Sequence, residues 1–182
     1  MNLPPLTPPV ALVANGPFPD HPVPQKIISQ AKTRIAVDGG NRHLEKLRCP
    51  ADLILGDLDS AVPTPGIPRI ELEDQSRTDL DKALDWCLRQ KITSLDLVAA
   101  FGNRDDHSLA NYLLLVEYGH RCQLTAYSDF AKIQPLFGSA SFASFPGQIV
   151  SILSLSGNPR ITTDGLQYNL NDESLEYISQ GV

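Results

Sequence analysis

Short runs of apolar residues recur along the first 127 residues, and stretches with the spacing of amphipathic helices lie between them. The runs are three to five residues long and rich in β-branched side chains, which is typical of buried strands. They predict strands at Val10–Ala14, Arg34–Val37, Leu53–Leu55, Leu95–Ala99 and Gln123–Tyr127. Strands that alternate with helices indicate an α/β fold with a mostly parallel, doubly wound sheet.

The clearest helical pattern runs from about Asp79 to Gln90. Its apolar residues follow the i, i+3, i+4, i+7, i+8 spacing of one buried face, and they are Leu80, Ala83, Leu84, Cys87 and Leu88. Thr78 stands at the N-cap, where its hydroxyl can accept a hydrogen bond from a free N–H group. Asp81 supplies the acidic partner of a capping-box-like start. The pattern therefore predicts a helix that begins just after Thr78.

A second helix is predicted from roughly Ser108 to Tyr118. We expect this helix to turn Leu109, Leu113 and Val116 towards the core, because these apolar residues share its inner face. Gly119 then ends the helix, since glycine readily adopts the left-handed backbone conformation found at helix C-termini.

The spacing of apolar residues along the chain changes after Tyr127. Apolar residues continue among Ser, Gly and Pro but lose helical spacing, as in the segment Ile149–Leu155. This pattern predicts a small antiparallel β unit. We therefore expect an α/β domain at residues 1–130 and a small β domain at residues 131–182.

Composition and charge narrow the range of functions. Apolar residues make up 42% of the 182 residues and charged residues 20%, which is typical of an ordinary globular protein. The net charge is about −6 and the chain has no run of Lys and Arg, so nucleic acid is not expected as a partner. No secretory signal and no long apolar span is present, so we expect a cytoplasmic protein without a membrane partner.

The residues best suited to chemistry follow the predicted strands, and ligands of doubly wound sheets lie beyond the carboxyl ends of strands. Asp57 and Asp59 come directly after the third strand. If the chain remains extended there, their carboxylates project to the same side and offer two oxygen ligands to Mg²⁺. Taken alone, such a pair is better explained by Asp59 and Ser60 capping a turn or short helix, and the neighbouring loops change that balance.

Two more loops carry polar groups suited to phosphate. Asp38-Gly39-Gly40-Asn41 places two glycines where backbone N–H groups can approach a ligand, although a simple strand-to-helix turn explains the segment equally well. The stretch from Gln75 to Lys82 brings an amide, a hydroxyl, an acid and a base to one helix N-terminus, which favours anions. The alternative is a capped amphipathic helix with a solvated face.

A fourth loop, Gly102–His107, places Arg104 beside two acids and a histidine. A guanidinium can hold phosphate oxygens by two hydrogen bonds, and His107 can bond a phosphate or a base. A surface ion pair between Arg104 and an acid is the alternative. Four such loops at one edge of a sheet would repel one another without a cation, so together they indicate a bound metal.

Several other catalytic classes are not indicated. The chain has neither the phosphate-binding pattern G-x-x-x-x-G-K-[ST] nor the dinucleotide pattern G-x-G-x-x-G. It also lacks G-x-S-x-G and H-E-x-x-H, and no activated Ser, Cys or Lys nucleophile is evident. The lack of such a nucleophile favours direct in-line phosphoryl transfer over a covalent intermediate.

At these residues the chain resembles the thiamine pyrophosphokinase (thiamine diphosphokinase) family. The matching segments occur in the family's order and are Asp38–Asn41, Gly56–Ser60, Asp74-Gln75 followed by Thr78–Leu84, and Gly102–Asn111. Ile149–Leu155 and Ile161–Tyr168 also resemble the family's C-terminal β domain. Near the position of Ser179–Val182 the family has a Ser-Asn pair that is followed by more β structure, so we expect a domain that is short at its C-terminus.

The resemblance implies Mg²⁺-dependent transfer of pyrophosphate from ATP to the thiamine hydroxyl, giving thiamine diphosphate and AMP, in a homodimer. It implies metal ligands at Asp57, Asp59 and Asp79. It implies nucleotide contacts at Asp38, Asn41, Gln75, Thr78, Lys82, Arg104 and His107. It further implies thiamine contacts at Asp79 and Asp106, with the catalytic set being Asp57, Asp59, Asp79, Arg104 and Asp106.

Two other functions fit the same residues. A related pyrophosphokinase could act on another hydroxymethyl heterocycle such as a pterin, because the phosphate and metal residues would be unchanged. Alternatively, the chain could be a nucleotide-binding module without catalytic activity. An assay of AMP release with competing acceptors separates the first alternative, and ATP binding without turnover would favour the second.

Overall fold

The computed structural model of the protein describes residues 3–60, 64–155 and 157–182. The chain divides into two compact units, one ending at Gly138 and one at Ser139–Val182. The first unit contains β1 (Val10–Val13), α1 (Pro22–Gln30), β2 (Thr33–Val37), α2 (Asn41–Lys46), β3 (Leu53–Gly56), β4 (Arg69–Glu71), α3 (Asp79–Arg89), β5 (Ser94–Val98), α4 (Asp105–Gly119), β6 (Gln123–Tyr127) and β7 (Lys132–Ile133). From the sequence we expected the division after residue 130; β7 lies on the first-unit side because it pairs with β6.

The described strands form one sheet in the order β4-β3-β2-β1-β5-β6-β7. Pairing is parallel from β4 across to β6, and only the short β7 at the edge of this described sheet is antiparallel. The predicted fold class, a mostly parallel α/β sheet followed by antiparallel pairing, is confirmed. From β1 the strands β2 to β4 extend the sheet to one side, and β5 to β7 extend it to the other. The strand order therefore reverses at β1, and folds of this kind bind ligands in the crevice at such a point.

Two buried layers hold the sheet between helices. Leu84 of α3 and Leu115 of α4 pack on one face, and Ile28 of α1 and Leu44 of α2 pack on the other. The strands have a nearly continuous buried pattern because both faces are covered. This burial makes the sheet a rigid base for the loops that follow its strands.

The N-terminus of α3 agrees with its sequence pattern, but the role of Asp81 differs from the one expected. The hydroxyl of Thr78 accepts a hydrogen bond from the Asp81 N–H at 3.3 Å, as a cap should. The Asp81 carboxylate does not close a capping box. It accepts two hydrogen bonds from Arg77, at 2.6 and 2.8 Å, and one from the hydroxyl of Tyr118, at 2.6 Å. Asp81 therefore links α3 to α4.

Helix α4 begins at Asp105, three residues earlier than predicted, and its buried face also differs. The prediction that Leu109 and Leu113 face the core is wrong, since they are 63% and 53% exposed. Val116 is half-buried. The helix is rotated so that the buried Asn111 donates a hydrogen bond to the Ala100 carbonyl at 2.6 Å and Tyr118 reaches Asp81. These two polar contacts determine which side of α4 faces the sheet.

The second unit, Ser139–Val182, has little regular structure in its described residues. Its pairing is antiparallel, with a bridge between Ile161 and Glu173. Beside the bridge, Arg160 donates two hydrogen bonds to the carboxylate of Asp172, at 2.7 and 2.9 Å. Across both units, none of the described helices is long and apolar enough to cross a membrane.

We expect Asp81→Asn to destabilise the protein by about 2 kcal/mol at pH 7, because the change removes a charge-assisted contact that is partly buried. The Arg77 guanidinium and, to a lesser extent, the Tyr118 hydroxyl lower the pKa of Asp81. A carboxyl group with a lowered pKa in the folded state stabilises the protein above its unfolded pKa of about 4 and loses this effect as the pH falls. Urea unfolding at several pH values should show the difference from the unmodified protein shrink below about pH 4.

The matched control is Asp172→Asn, which breaks an Arg–Asp contact of the same geometry whose side chains are mostly exposed. Exposed pairs contribute about 0–1 kcal/mol, so this variant should unfold close to the unmodified protein. Equal losses in the two variants would contradict the stabilising role given to the Asp81 contact.

Candidate active site

The loops after β2 and β3 lie side by side at the carboxyl edge of the sheet. The register pairs Val37 with Leu55, so the next residues, Asp38 and Gly56, are neighbours. Gly56 has φ +147°, and a Cβ atom at this position would lie 3.1 Å from the Cβ of Asp38. Glycine is therefore required where the two loops approach each other.

Three carboxylates meet at this point. One oxygen each from Asp38, Asp57 and Asp59 can be chosen so that all three atoms lie within 4.8 Å of one another. The chain between the last two is not extended as expected from the sequence, because Leu58 has φ +65° and the Asp59 N–H donates to Asp57 Oδ1 at 3.3 Å. The turn still brings both carboxylates to Asp38.

The cluster offers the kind of ligands that could hold a divalent cation such as Mg²⁺. Three closely spaced carboxylate oxygens are hard ligands, and Mg²⁺ typically uses one or two carboxylates and completes its octahedron with water and phosphate oxygens. Partial burial and then the nearby charges of Asp79, Asp59 and Asp38 raise the pKa of Asp57. The part of this shift that comes from the neighbouring carboxylates reflects a repulsion that a divalent cation would relieve.

Asp38 is the residue whose position in the cluster we did not assign from the sequence. The resemblance implied a nucleotide contact for Asp38, whereas the structure places its buried carboxylate beside Asp57 and Asp59. Its Oδ1 also accepts a hydrogen bond from the Ser60 N–H at 3.2 Å, which joins the two loops. The available signal was that Asp38 and Asp57 follow strands that are consecutive in the chain.

Asp79 lies next to the cluster at the start of α3. Its Oδ1 accepts a hydrogen bond from the Asp57 N–H at 3.3 Å and pairs with the ammonium of Lys82 at 2.7 Å. Lys82 is buried and also donates to the Leu72 carbonyl at 3.0 Å. The structure therefore brings Asp79 to the loop of Asp57, with Lys82 behind it.

The remaining polar residues of these loops differ in how fixed they are. Asn41 is buried and its side-chain amide donates to the Thr64 hydroxyl at 3.1 Å. Thr78 is half-buried and caps α3. Gln75 is exposed, three residues before that cap. Only part of this predicted set is therefore presented to solvent.

The loop between β5 and α4 carries a surface ion pair. Arg104 donates to both carboxylate oxygens of Asp106, and the two side chains are 64% and 65% exposed. Hydrogen bonds from Arg104 and from the His107 N–H lower the pKa of Asp106 to about 2. His107 is itself exposed. This is the surface ion pair that the sequence offered as the alternative to a phosphate contact. Because the side chain of Arg104 is exposed, its guanidinium is also accessible to a ligand.

Two family models match the chain. The model described as thiamin pyrophosphokinase, catalytic domain, matches residues 24–126, which include the carboxylate cluster and the Arg104 loop. The model described as thiamin pyrophosphokinase, vitamin B1 binding domain, matches residues 141–181, within the second unit.

Individual proteins give the same result. Thiamin pyrophosphokinase 1 of Caenorhabditis elegans is 29% identical over 106 residues, which are 52% of this chain and 44% of that protein. The structure of thiamine pyrophosphokinase from Bacillus subtilis is 26% identical with a TM-score of 0.54, covering 65% of this chain and 59% of the other. A thiamin pyrophosphokinase family protein from Enterococcus faecalis shares the fold over 93% of this chain and 85% of its own, with a TM-score of 0.72 and 22% identity.

The chain spans less than half the length of the curated relative from C. elegans and 59% of the B. subtilis chain. The catalytic-domain match nevertheless covers more than half of the 182 residues. The acidic loops that carried the resemblance lie within that match, at the carboxyl edge of a mostly parallel sheet. The chain belongs to the thiamine pyrophosphokinase family.

Proposed function

We propose that this protein is a thiamine diphosphokinase that transfers pyrophosphate from ATP to the hydroxyl of thiamine, giving thiamine diphosphate and AMP. The observation that carries the proposal is the cluster of Asp38, Asp57 and Asp59 at the carboxyl edge of the sheet, inside the segment that matches the catalytic-domain model. The match of residues 141–181 to a vitamin B1 binding domain supports thiamine as the acceptor.

The proposed reaction exchanges one bond at the β-phosphorus of ATP. The thiamine hydroxyl oxygen forms a bond to this phosphorus and loses its proton. The bond from the β-phosphorus to the oxygen shared with the α-phosphate breaks, and AMP leaves with that oxygen. No covalent bond to the protein is needed, so the side chains act by position and charge.

The acids supply the metal side of the site. Asp57, Asp59 and Asp79 are the proposed ligands of Mg²⁺, and Asp38 adds its carboxylate to the same cluster. Bound there, Mg²⁺ would neutralise phosphate charge and orient the transferred group. The backbone of Asp57 and the ammonium of Lys82 fix Asp79 before any ligand arrives.

The loop at the start of α4 supplies the proposed phosphate side. Arg104 has the fork of N–H groups that fits two phosphate oxygens, and its exposed position lets it exchange Asp106 for a phosphate. His107, Gln75, Thr78 and Asn41 are the further proposed nucleotide contacts. Asp79 and Asp106 are the proposed thiamine contacts.

We also propose, from the family resemblance, that the protein acts as a cytoplasmic homodimer. The apolar side chains that α4 presents to solvent, Leu109, Tyr112 and Leu113, support an additional protein contact. Light scattering of the purified protein should then give twice the monomer mass.

The direct test incubates the purified chain with Mg²⁺, ATP and thiamine and measures AMP and thiamine diphosphate by chromatography. Equal amounts of both products are expected, with ADP absent. A hydroxymethyl pterin in place of thiamine is the parallel arm. If AMP forms only with the pterin, the acceptor is a pterin and not thiamine. If the chain binds ATP but forms no product with either acceptor, the enzymatic function is contradicted.

We expect Asp57→Asn and Asp59→Asn each to lower kcat by a factor of about 100 or more, because metal coordination stabilises charge in the transition state. Stability without metal should not fall, since each change removes one of several repelling charges. The measurements are steady-state kinetics over a range of Mg²⁺ and thermal unfolding in EDTA. The matched control is Asp20→Asn, at an exposed position before α1. Normal turnover of Asp57→Asn at limiting Mg²⁺ would contradict its role as a ligand.

We expect Arg104→Lys to lower kcat/KM for ATP by roughly one to three powers of ten, because lysine keeps the charge and loses the two-point contact. Kinetics with ATP and thiamine varied separately provide the measurement. Arg160→Lys is the control, because Arg160 makes the same two-point contact with Asp172 at equal exposure. If only the KM for thiamine changes, Arg104 belongs to the acceptor side of the cleft.

A further inference from the structure

Lys82 has an unusual environment for a lysine. Among the residues that the structure describes, it is the only lysine or arginine that is buried, with 6% of its surface exposed. It lies in the first turn of α3, three residues after Asp79. A buried ammonium is strongly destabilising unless it is paired and hydrogen-bonded, so its partners indicate its role.

The ammonium makes two close contacts within the protein. Lys82 Nζ lies 2.7 Å from Asp79 Oδ1 and donates to the Leu72 carbonyl at 3.0 Å. Leu72 follows β4, and its own N–H donates to the Gly56 carbonyl at 2.8 Å. The ammonium therefore lies between the start of α3 and the segment after β4, where it bonds to both.

These contacts form a closed ring of hydrogen bonds that begins and ends at Gly56 and Asp57, where β3 leads into the loop that follows it. Asp79 Oδ1 accepts from the Asp57 N–H, and Leu72 donates to the Gly56 carbonyl, so both ends of the ring meet at consecutive residues of the loop. Lys82 closes the ring by bonding to Asp79 and Leu72. The second oxygen of Asp79, Oδ2, takes part in neither contact.

We propose that Lys82 is a positioning residue that holds Asp79 against the Asp57 loop and makes no contact with the nucleotide. The proposal rests on the proposed function, because it gives Asp79 the role of a ligand at the metal site. It differs from the nucleotide contact that the family resemblance implied for Lys82. An amine held by two internal acceptors serves the carboxylate beside it, in the way that outer partners orient the ligands of a metal.

Lys82→Met tests this role because methionine has a similar length and no charge. Without the ammonium, Asp79 loses its cationic partner and keeps only the longer hydrogen bond from the Asp57 N–H, so its orientation towards the Asp57 loop is less well held. Loss of such outer partners typically lowers metal affinity about 10- to 100-fold, so we expect at least a tenfold loss of Mn²⁺ affinity. Binding of a fluorescent ATP analogue in EDTA should not change, because no nucleotide contact is removed.

The experiment measures Mn²⁺ affinity by electron spin resonance in the full chain, for the unmodified protein, Lys82→Met, Asp79→Asn and the double variant. We expect the double variant to bind Mn²⁺ within about twofold of Asp79→Asn, since residues that act through one contact are not additive. Its unfolding temperature should lie above that of either single variant, because no unpaired charge remains. The control is Lys26→Met, the same substitution at an exposed lysine of α1.

Several outcomes would overturn the proposal. Additive losses of Mn²⁺ affinity would show that Lys82 acts independently of Asp79, and weaker binding of the ATP analogue in EDTA would return Lys82 to the nucleotide. If Lys82→Met does not fold, the double variant decides, and its failure to fold as well would leave Lys82 as a purely structural residue. These readouts need no turnover, so a protein that binds Mn²⁺ as expected and releases no AMP would overturn the proposed function alone.

Discussion

The repulsion between carboxylates at one edge of the sheet is the constraint on which the site depends. Asp38, Asp57 and Asp59 are brought within a few ångströms, and Asp79 lies against the same loop. Like charges at such distances favour separation or protonation, and they add to the effect of burial in raising the pKa of Asp57. The protein must therefore hold these groups in place by interactions stronger than their repulsion.

The sheet and its backbone supply most of that restraint. Strands β2 and β3 are buried on both faces, so the residues that follow them leave the core at fixed points. Gly56 allows the two loops to touch, because a side chain there would meet Asp38. The Ser60 N–H donates a hydrogen bond to Asp38, and the Asp57 N–H donates one to Asp79. These backbone hydrogen bonds hold the carboxylates in place. Lys82 adds a positive charge beneath the loop of Asp57, and it is the only buried lysine or arginine among the residues that the structure describes.

Much of this organisation could be predicted from the sequence because it depends on local patterns. Apolar runs located the five longer strands and the spacing from Asp79 located α3, since period and capping are properties of neighbouring residues. The position of the acids after the strands followed from the rule that ligands gather at the carboxyl ends of parallel strands. Strands β4 and β7 were not predicted, because two or three residues are too few to show a period.

Other features depend on contacts between distant residues and could not be derived from the pattern. The rotation of α4 is set by Asn111 bonding to Ala100 and by Tyr118 bonding to Asp81, and neither partner is close in the chain. The apolar pattern favoured Leu109 and Leu113 for the core. Buried polar groups without partners are costly, and the free energy of pairing Asn111 and Tyr118 outweighs the cost of exposing two leucines. The burial of Lys82 could not be predicted either, because lysines are ordinarily solvated. It depends on the contact of the ammonium with the Leu72 carbonyl, ten residues earlier in the chain.

The two sides of the site therefore differ in how they are prepared for a ligand. The acids are fixed by the core, the backbone and Lys82, so the order that the proposed metal binding requires is already present in the folded chain. Arg104 and Asp106 are exposed and held chiefly by each other, and exposed pairs of this kind contribute little to stability. In the proposed reaction, a phosphate can replace Asp106 on Arg104 at small energetic cost, while the carboxylates keep their positions. A rigid metal side and an adaptable phosphate side suit a substrate whose charge is redistributed during transfer, because only the second must follow the moving group.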